Sequence, residues 1–186
     1  VITRVHGKPA VSFEEVFNTY CQYGERLARY IKDTDVLLEE ALEDGKLVLL
    51  EGAQGTLLDI DFGTYPYVTS GSAVVGGACT GFGISPRRIQ HVLGIFKSYP
   101  TRVGGGPMTK EIKDDIGELI RERGHEYGTT TGRARRCGWF DAVASRYTVR
   151  VNGLTDVAIT RLDIFDTLDT IKISTAYTVD GKRLES

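Results

Sequence analysis

A chain of 186 residues with 41% hydrophobic residues suffices for one domain with a buried core, or for a large piece of something bigger, and excludes a disordered tail. With 23 Lys+Arg against 25 Asp+Glu the net charge is −2, so no global field recruits nucleic acid or anionic lipid and any anion site must be local. No run approaches the roughly 18 apolar residues of a membrane span and no signal-peptide pattern opens the chain, which therefore reads as soluble.

Ser12, with Glu15 three residues later, forms a capping box, and Val11 with Val16 a hydrophobic staple, so a helix is expected from about residue 13. Phe13, Phe17, Tyr20, Leu27 and Ile31 give it one apolar face out to about residue 32. Thr34 or Asp35 then caps a second helix, stopped by Gly45. The wholly apolar L-V-L-L at 47–50 suits a strand buried on both faces of a parallel sheet. From 51 to 83 the chain is rich in Gly, Thr and Ser, a ligand-facing surface rather than a floppy loop, since structureless stretches of that length are uncommon unless functional. A strand follows at 91–100, then the turn-rich T-R-V-G-G-G-P at 101–107. Ile112, Ile116, Leu119 and Ile120 mark an amphipathic helix ending near Gly124. Asp141 caps a helix over 141–150, 156–163 is a strand with a polar end, and 171–179 is a weaker, more exposed strand. Strands separated by helices make an α/β chain, with ligand loops at the carboxyl ends of parallel strands.

Residue 1 is Val and Met108 is the only methionine, which reads as a processed protein or an excised fragment. Cys21, Cys79 and Cys137 lie far apart with no CxxC pair, arguing against a disulfide framework or zinc site and for a reducing cytoplasm.

Four segments concentrate chemistry. Gln54 between Gly52 and Gly55 presents an amide that both donates and accepts, suited to a nucleobase, or else it merely closes a turn. Asp59 and Asp61 alternate, as acid/base or metal carboxylates might, although solvated loop carboxylates are the commoner reading. Thr69, Ser70 and Ser72 beside Gly71 could cradle a phosphate. The segment H-E-Y-G-T-T-T-G-R-A-R-R-C-G-W-F-D at 125–141 sets three threonines between two glycines, followed by Arg133, Arg135 and Arg136, as one local anion trap. Stacking of RNA bases on Trp139, Phe140 and Tyr127 is the rival, but the chain lacks the basic stripe that backbone tracking needs. In T-R-L-D at 160–163 the Asp carboxylate could accept from both guanine donors, or could simply cap a helix. No G-x-x-x-x-G-K followed by Ser or Thr occurs, His6, His91 and His125 are not placed as general acid or base, and no nucleophile stands out.

Taken together, the blocks at 49–70, 101–107, 127–143 and 160–163 match adenylosuccinate synthetases in order, spacing and wording, and over about residues 36–181 the chain resembles that family. The resemblance implies an α/β fold, part of a P-loop-NTPase-like, mainly parallel sheet with flanking helices and long ligand-binding loops. It divides the chain into a helical segment at 1–46 and an α/β substrate- and nucleotide-binding portion at 47–186. Family members condense IMP with L-aspartate, using GTP and Mg²⁺, as cytoplasmic homodimers that bind neither nucleic acid nor membrane. By position, Gln54 should contact the IMP base, Thr69 the 5′-phosphate and Val103 the ribose through its backbone. Thr129, Thr130, Thr131, Gly132, Arg133, Ala134 and Arg135 match the aspartate loop, with Arg133 also reaching the ribose and Arg135 reaching toward GTP. Arg161, Leu162 and Asp163 match the guanine-reading segment, with Arg161 where the family usually has lysine. The family's G-D-E-G-K-G-K loop, catalytic aspartate and histidine, and metal ligands match nothing in these residues. No catalytic or metal-binding residue is therefore assigned, and the chain is predicted to be inactive alone. A guanine-nucleotide or aspartate-binding module without catalysis is the alternative, and an RNA-binding domain a weaker one. Two departures stand out: S-G-S-A-V at 70–74 replaces the family's S-S-N-T-T, and M-T-K-E at 108–111 replaces F-P-T-E.

Overall fold

The computed structural model describes residues 1–129 and 132–185. The chain divides into two compact units, residues 1–48 and 49–186.

The first unit is helical: α1 (Ile2–His6), α2 (Phe13–Leu27) and α3 (Thr34–Glu43). Helix α2 begins as the capping signal predicts, with Ser12 Oγ accepting the Glu15 N–H at 3.3 Å. The Ser12 hydroxyl in turn donates to Glu14 Oε2 at 3.2 Å. The apolar stripe of α2 exists, and its rings pair along the helix: Phe13 stacks on Phe17 at 5.6 Å and Tyr20 meets Tyr23 edge-on at 5.7 Å. Helix α3 starts one residue early, with Asp33 at the N-cap, and the chain leaves it through Gly45 at φ +74°.

The predicted strand at 47–50 does not form. No other segment pairs with it among the described residues, and Leu47 and Leu49 stand fully exposed. An apolar run becomes a strand only where a ladder receives its N–H and C=O groups.

In the second unit, α4 (Gly76–Phe82) and a 3₁₀ turn at Thr56–Leu58 interrupt the long Gly/Thr/Ser region. Then come β1 (Leu93–Lys97), β2 (Thr101–Arg102), α5 (Asp115–Arg123), β3 (Arg136–Cys137), β4 (Phe140–Asp141), α6 (Ala142–Asn152), β5 (Asp156–Thr160), β6 (Ile173–Ser174), β7 (Tyr177–Val179) and β8 (Lys182–Leu184). Helices and parallel strand pairs make this unit α/β. The pairs β1–β5 and β4–β6 are parallel, while β2–β3 and β7–β8 are antiparallel. The predicted strand at 171–179 is therefore two, β6 on β4 and β7 on β8, because its halves have different partners.

Both later helices are capped by aspartate. Asp114 Oδ1 accepts from the Ile116 and Gly117 N–H groups, and Asp141 Oδ1 from those of Val143 and Ala144. The core gathers Tyr99, Ile112, Ile120, Cys137, Ile164 and Phe165, with Phe165 edge-on to Tyr99 at 5.8 Å and stacked on Trp139 at 6.2 Å. This core lies just beyond the carboxyl ends of β1 and β5, where Ser98 N–H continues the ladder to Thr160 O at 2.9 Å. The loops leaving those two strand ends carry Arg102, Val103 and Asp163 of the candidate site.

Candidate functional site

One open cleft of about 360 Å³ is lined by Leu58, Tyr67, Val68, Thr69, Arg102, Val103 and Gly105. The cleft brings Thr69 and Val103, 34 residues apart, onto one surface. Arg102 holds it together: Nη2 donates to Tyr67 O at 2.7 Å and Thr64 Oγ1 at 3.0 Å, and Nε donates to Gly105 O at 2.9 Å. Gly106 sits at φ +98°, and a Cβ there would lie within 2.7 Å of the Arg102 guanidinium, so only glycine fits this turn. Arg136 supports the same turn from beneath. Its Nη1 donates to Gly104 O and Gly106 O while Nε and Nη2 make a two-pronged contact with the Glu111 carboxylate, at 2.9 and 2.7 Å. Arg136 is thus a brace rather than part of the exposed anion trap. Arg133 Nη1 stands 3.8 Å from where a side chain on Gly104 would begin, which puts its guanidinium at the lip of the cleft. Gln54 is exposed, at φ +63°, and does not line this cleft.

The arginine segment is a hairpin leaving α5. Tyr127 bridges Ala134, Gly128 N–H donates to Arg133 O at 2.8 Å, and Gly132 N–H, with Gly132 at φ +63°, turns back to Gly128 O. Thr129 enters this turn, while Thr130 and Thr131 lie outside the described residues. Beneath it, the Glu126 carboxylate is 1% exposed and accepts from Lys97 Nζ, Tyr99 OH and Arg135 Nη1. Burial pushes the Glu126 carboxyl up, but hydrogen bonds from Lys97 and Arg135 and the Lys97 charge outweigh it and hold the group below the ordinary glutamate range. Nothing in local composition singles out Glu126, Lys97 or Arg102; their roles come from partners distant in sequence.

At the end of β5, Arg161 adopts φ +64° and opens a 3₁₀ turn over Leu162–Phe165. Ile164 and Phe165 bury themselves in the core, which leaves Leu162 and the Asp163 carboxylate facing solvent. Main-chain contacts lock this presentation: Ser98 Oγ donates to Arg161 O at 2.8 Å and Arg123 Nη2 to Asp163 O at 3.2 Å. Arg161 itself donates to Gly124 O at 3.3 Å. The end of α5 therefore touches both the Asp163 turn and the arginine hairpin, which it also grips through Arg121 Nε on Arg135 O at 3.0 Å.

Asp59 corrects the reading of paired carboxylates. It is 1% exposed, with Oδ1 accepting from the Asp61 and Phe62 N–H groups and Oδ2 from Val74 N–H. It is neither solvated nor available for acid/base work. Among the described residues no three His, Cys, Asp or Glu side chains converge as metal ligands. Nor is any helix among them long and apolar enough to cross a membrane.

Three carboxyls share one electrostatic consequence. For Asp59, burial raises the pKa and backbone hydrogen bonds from Phe62, Asp61 and Val74 more than offset it; for Glu111, the hydrogen bond from Arg136 lowers it; Glu126 is lowered as described. A carboxyl depressed in the folded state adds stability that is complete above its unfolded value and disappears as pH falls through the folded value. Denaturant midpoints of the chain are expected to hold steady from neutral pH to about 5 and then fall steeply below about 4. Glu111→Gln should flatten part of that fall; an unchanged acid limb would show that the Arg136 pair contributes nothing.

The family model for adenylosuccinate synthetase matches residues 1–186. An adenylosuccinate synthetase of Caldanaerobacter subterraneus is 55% identical over 97% of this chain and 42% of its own length. One from Thermodesulfovibrio yellowstonii is 57% identical over 92% of this chain and 40% of its own. The solved structure of fully ligated adenylosuccinate synthetase from Plasmodium falciparum superposes with a TM-score of 0.90 at 40% identity, over 99% of this chain and 44% of that one. A cyanophage succinoaminodeoxyadenylate synthetase, at 23% identity and a TM-score of 0.57, shares the fold. The chain thus spans less than half the length of the relatives it matches.

Proposed function

The chain belongs to the adenylosuccinate synthetase family, and from that premise we propose that it is the substrate-gripping portion of a GTP-dependent ligase joining IMP to L-aspartate. In this reaction GTP phosphorylates the 6-oxygen of IMP, and the aspartate amine then displaces that phosphate to give adenylosuccinate, GDP and phosphate. Thr69 and Val103 on one cleft, with the Arg133 guanidinium beside the adjoining Gly104, carry the proposal.

In this reading Thr69 donates to the IMP phosphate, Val103 meets the ribose through its backbone, and Gln54 reaches the base as ligand enters. Arg133 grips aspartate carboxylates and the ribose together, with Thr129, Thr130, Thr131, Gly132 and Ala134 closing the loop and Arg135 reaching toward GTP. A dianionic amino acid needs guanidinium forks, and guanine needs an acceptor that Asp163 supplies beside Arg161 and Leu162. The division into a helical segment at 1–46 and a ligand-binding portion at 47–186 belongs to the same proposal, as do Mg²⁺ on the GTP phosphates, a cytoplasmic setting and homodimeric assembly.

The full-length protein carrying these residues is expected to release phosphate from GTP only when IMP and aspartate are both present. Thr69→Ala should raise the KM for IMP by about 10- to 100-fold, the loss of one hydrogen bond to a charged group. The 186-residue chain alone, lacking a phosphate loop, should turn nothing over. GTP hydrolysis indifferent to IMP would overturn the ligase reading.

A further inference from the structure

Glu126 lies between the end of α5 and the arginine hairpin, and its two oxygens face different parts of the fold. Oε1 accepts from Lys97 Nζ at 2.8 Å, at the end of β1, and from Tyr99 OH at 3.0 Å. Oε2 accepts from Arg135 Nη1 at 2.8 Å, and the Glu126 carbonyl accepts the Arg135 N–H at 2.9 Å. The same residue thus holds Arg135 by main chain and side chain at once. The carboxylate is 1% exposed while the Arg135 side chain is 30% exposed, so the anchor is dry and the arginine it carries reaches solvent. Two cations share this single anion. Without its charge, Lys97 and Arg135 would face each other across a buried gap and the hairpin would be pushed outward.

We propose that Glu126 is a positioning residue for the ligase reaction: by holding Arg135 through Nη1 it presets Arg135, and with it the described hairpin residues 132–135, for the anionic amino-acid substrate. The proposal rests on the ligase reading above. Preset geometry matters because a guanidinium displaced by about 1 Å can cost on the order of 100-fold in rate.

Glu126→Gln in the full-length protein tests it. The amide keeps the shape and can still accept from Lys97 and Tyr99, but turns an NH₂ toward Arg135 Nη1, donor against donor. The KM for aspartate is expected to rise about 10- to 100-fold and the KM for IMP by a smaller factor, because the hairpin also carries Arg133 toward the ribose while Thr69 and Val103 are held by other turns. The double variant Glu126→Gln/Arg135→Gln should be no worse for aspartate than Arg135→Gln alone, because the two residues act in series. Lys97→Met, which leaves the Arg135 contact intact, should change the aspartate KM by less than about two-fold, and it reads the proposal even if Glu126→Gln fails to fold. Equal losses for all three substrates, additive effects in the double variant, or an aspartate defect in Lys97→Met would overturn the positioning role. A wild-type protein without IMP- and aspartate-dependent GTP turnover would instead overturn the ligase reading.

Discussion

Asp163→Asn in the full-length protein is expected to lower kcat/KM for GTP by about 10³- to 10⁴-fold while leaving the KM values for IMP and aspartate nearly unchanged. The carboxylate can accept two parallel hydrogen bonds from guanine, from N1–H and the exocyclic amine, and both are charge-assisted. Asparagine keeps one acceptor and sets an NH₂ against the other donor, so a favourable contact becomes a repulsive one. The fold should not notice, because the structural contact of this residue is made by its carbonyl, which receives Arg123 Nη2. Thermal unfolding at the wild-type temperature, with the preference for GTP over inosine triphosphate collapsed, would confirm the role. Undiminished use of GTP would show that Asp163 does not read the base.

Where one residue decides a local structure, the sequence was legible. Ser12, Asp141 and the apolar spacing at 112–120 each announce a helix whose start depends on neighbours within one turn. The apolar run at 47–50 forms no strand, because a strand depends on a partner that no local pattern reveals. Helix α4 shows the opposite case: Gly76, Gly77 and Gly81 lower its intrinsic propensity, and the segment is helical in spite of its composition.

At the candidate site, residue types mark the loops of interest but not the division of labour inside them. Arg133, Arg135 and Arg136 look equivalent in the sequence, yet each has a different task. Arg136 is neutralised by Glu111, 25 residues away, and braces the 104–106 turn; Arg135 is held by Glu126, nine residues away; Arg133 reaches the cleft lip. A net charge of −2 already required any anion site to be local. The pairing with Glu111 and Glu126 makes it more local still, since Arg136 and Arg135 each spend part of their charge on the protein.

Asp59→Ala is expected to destabilise the second unit by about 3–5 kcal/mol, among the largest effects available from one polar side chain. The carboxylate, 1% exposed, satisfies the N–H groups of Asp61, Phe62 and Val74. Alanine would leave three donors unpaired at once, each costing about 1–3 kcal/mol where water cannot reach. Asp59→Asn should cost less, about 1–3 kcal/mol, because one oxygen can still serve Asp61 and Phe62 while the NH₂ opposes Val74. Urea or guanidinium titration of the chain ranks the three proteins, and a loss below about 1 kcal/mol for alanine would mean that water replaces the carboxylate. The effect should also reach function. Asp59 adjoins Leu58, whose carbonyl accepts the Thr69 N–H at 2.8 Å and whose side chain lines the cleft. In the full-length protein the alanine variant should therefore weaken IMP binding even at temperatures where it stays folded. A residue with the alternating spacing of a catalytic carboxylate thus serves the site by holding the floor on which Thr69 stands.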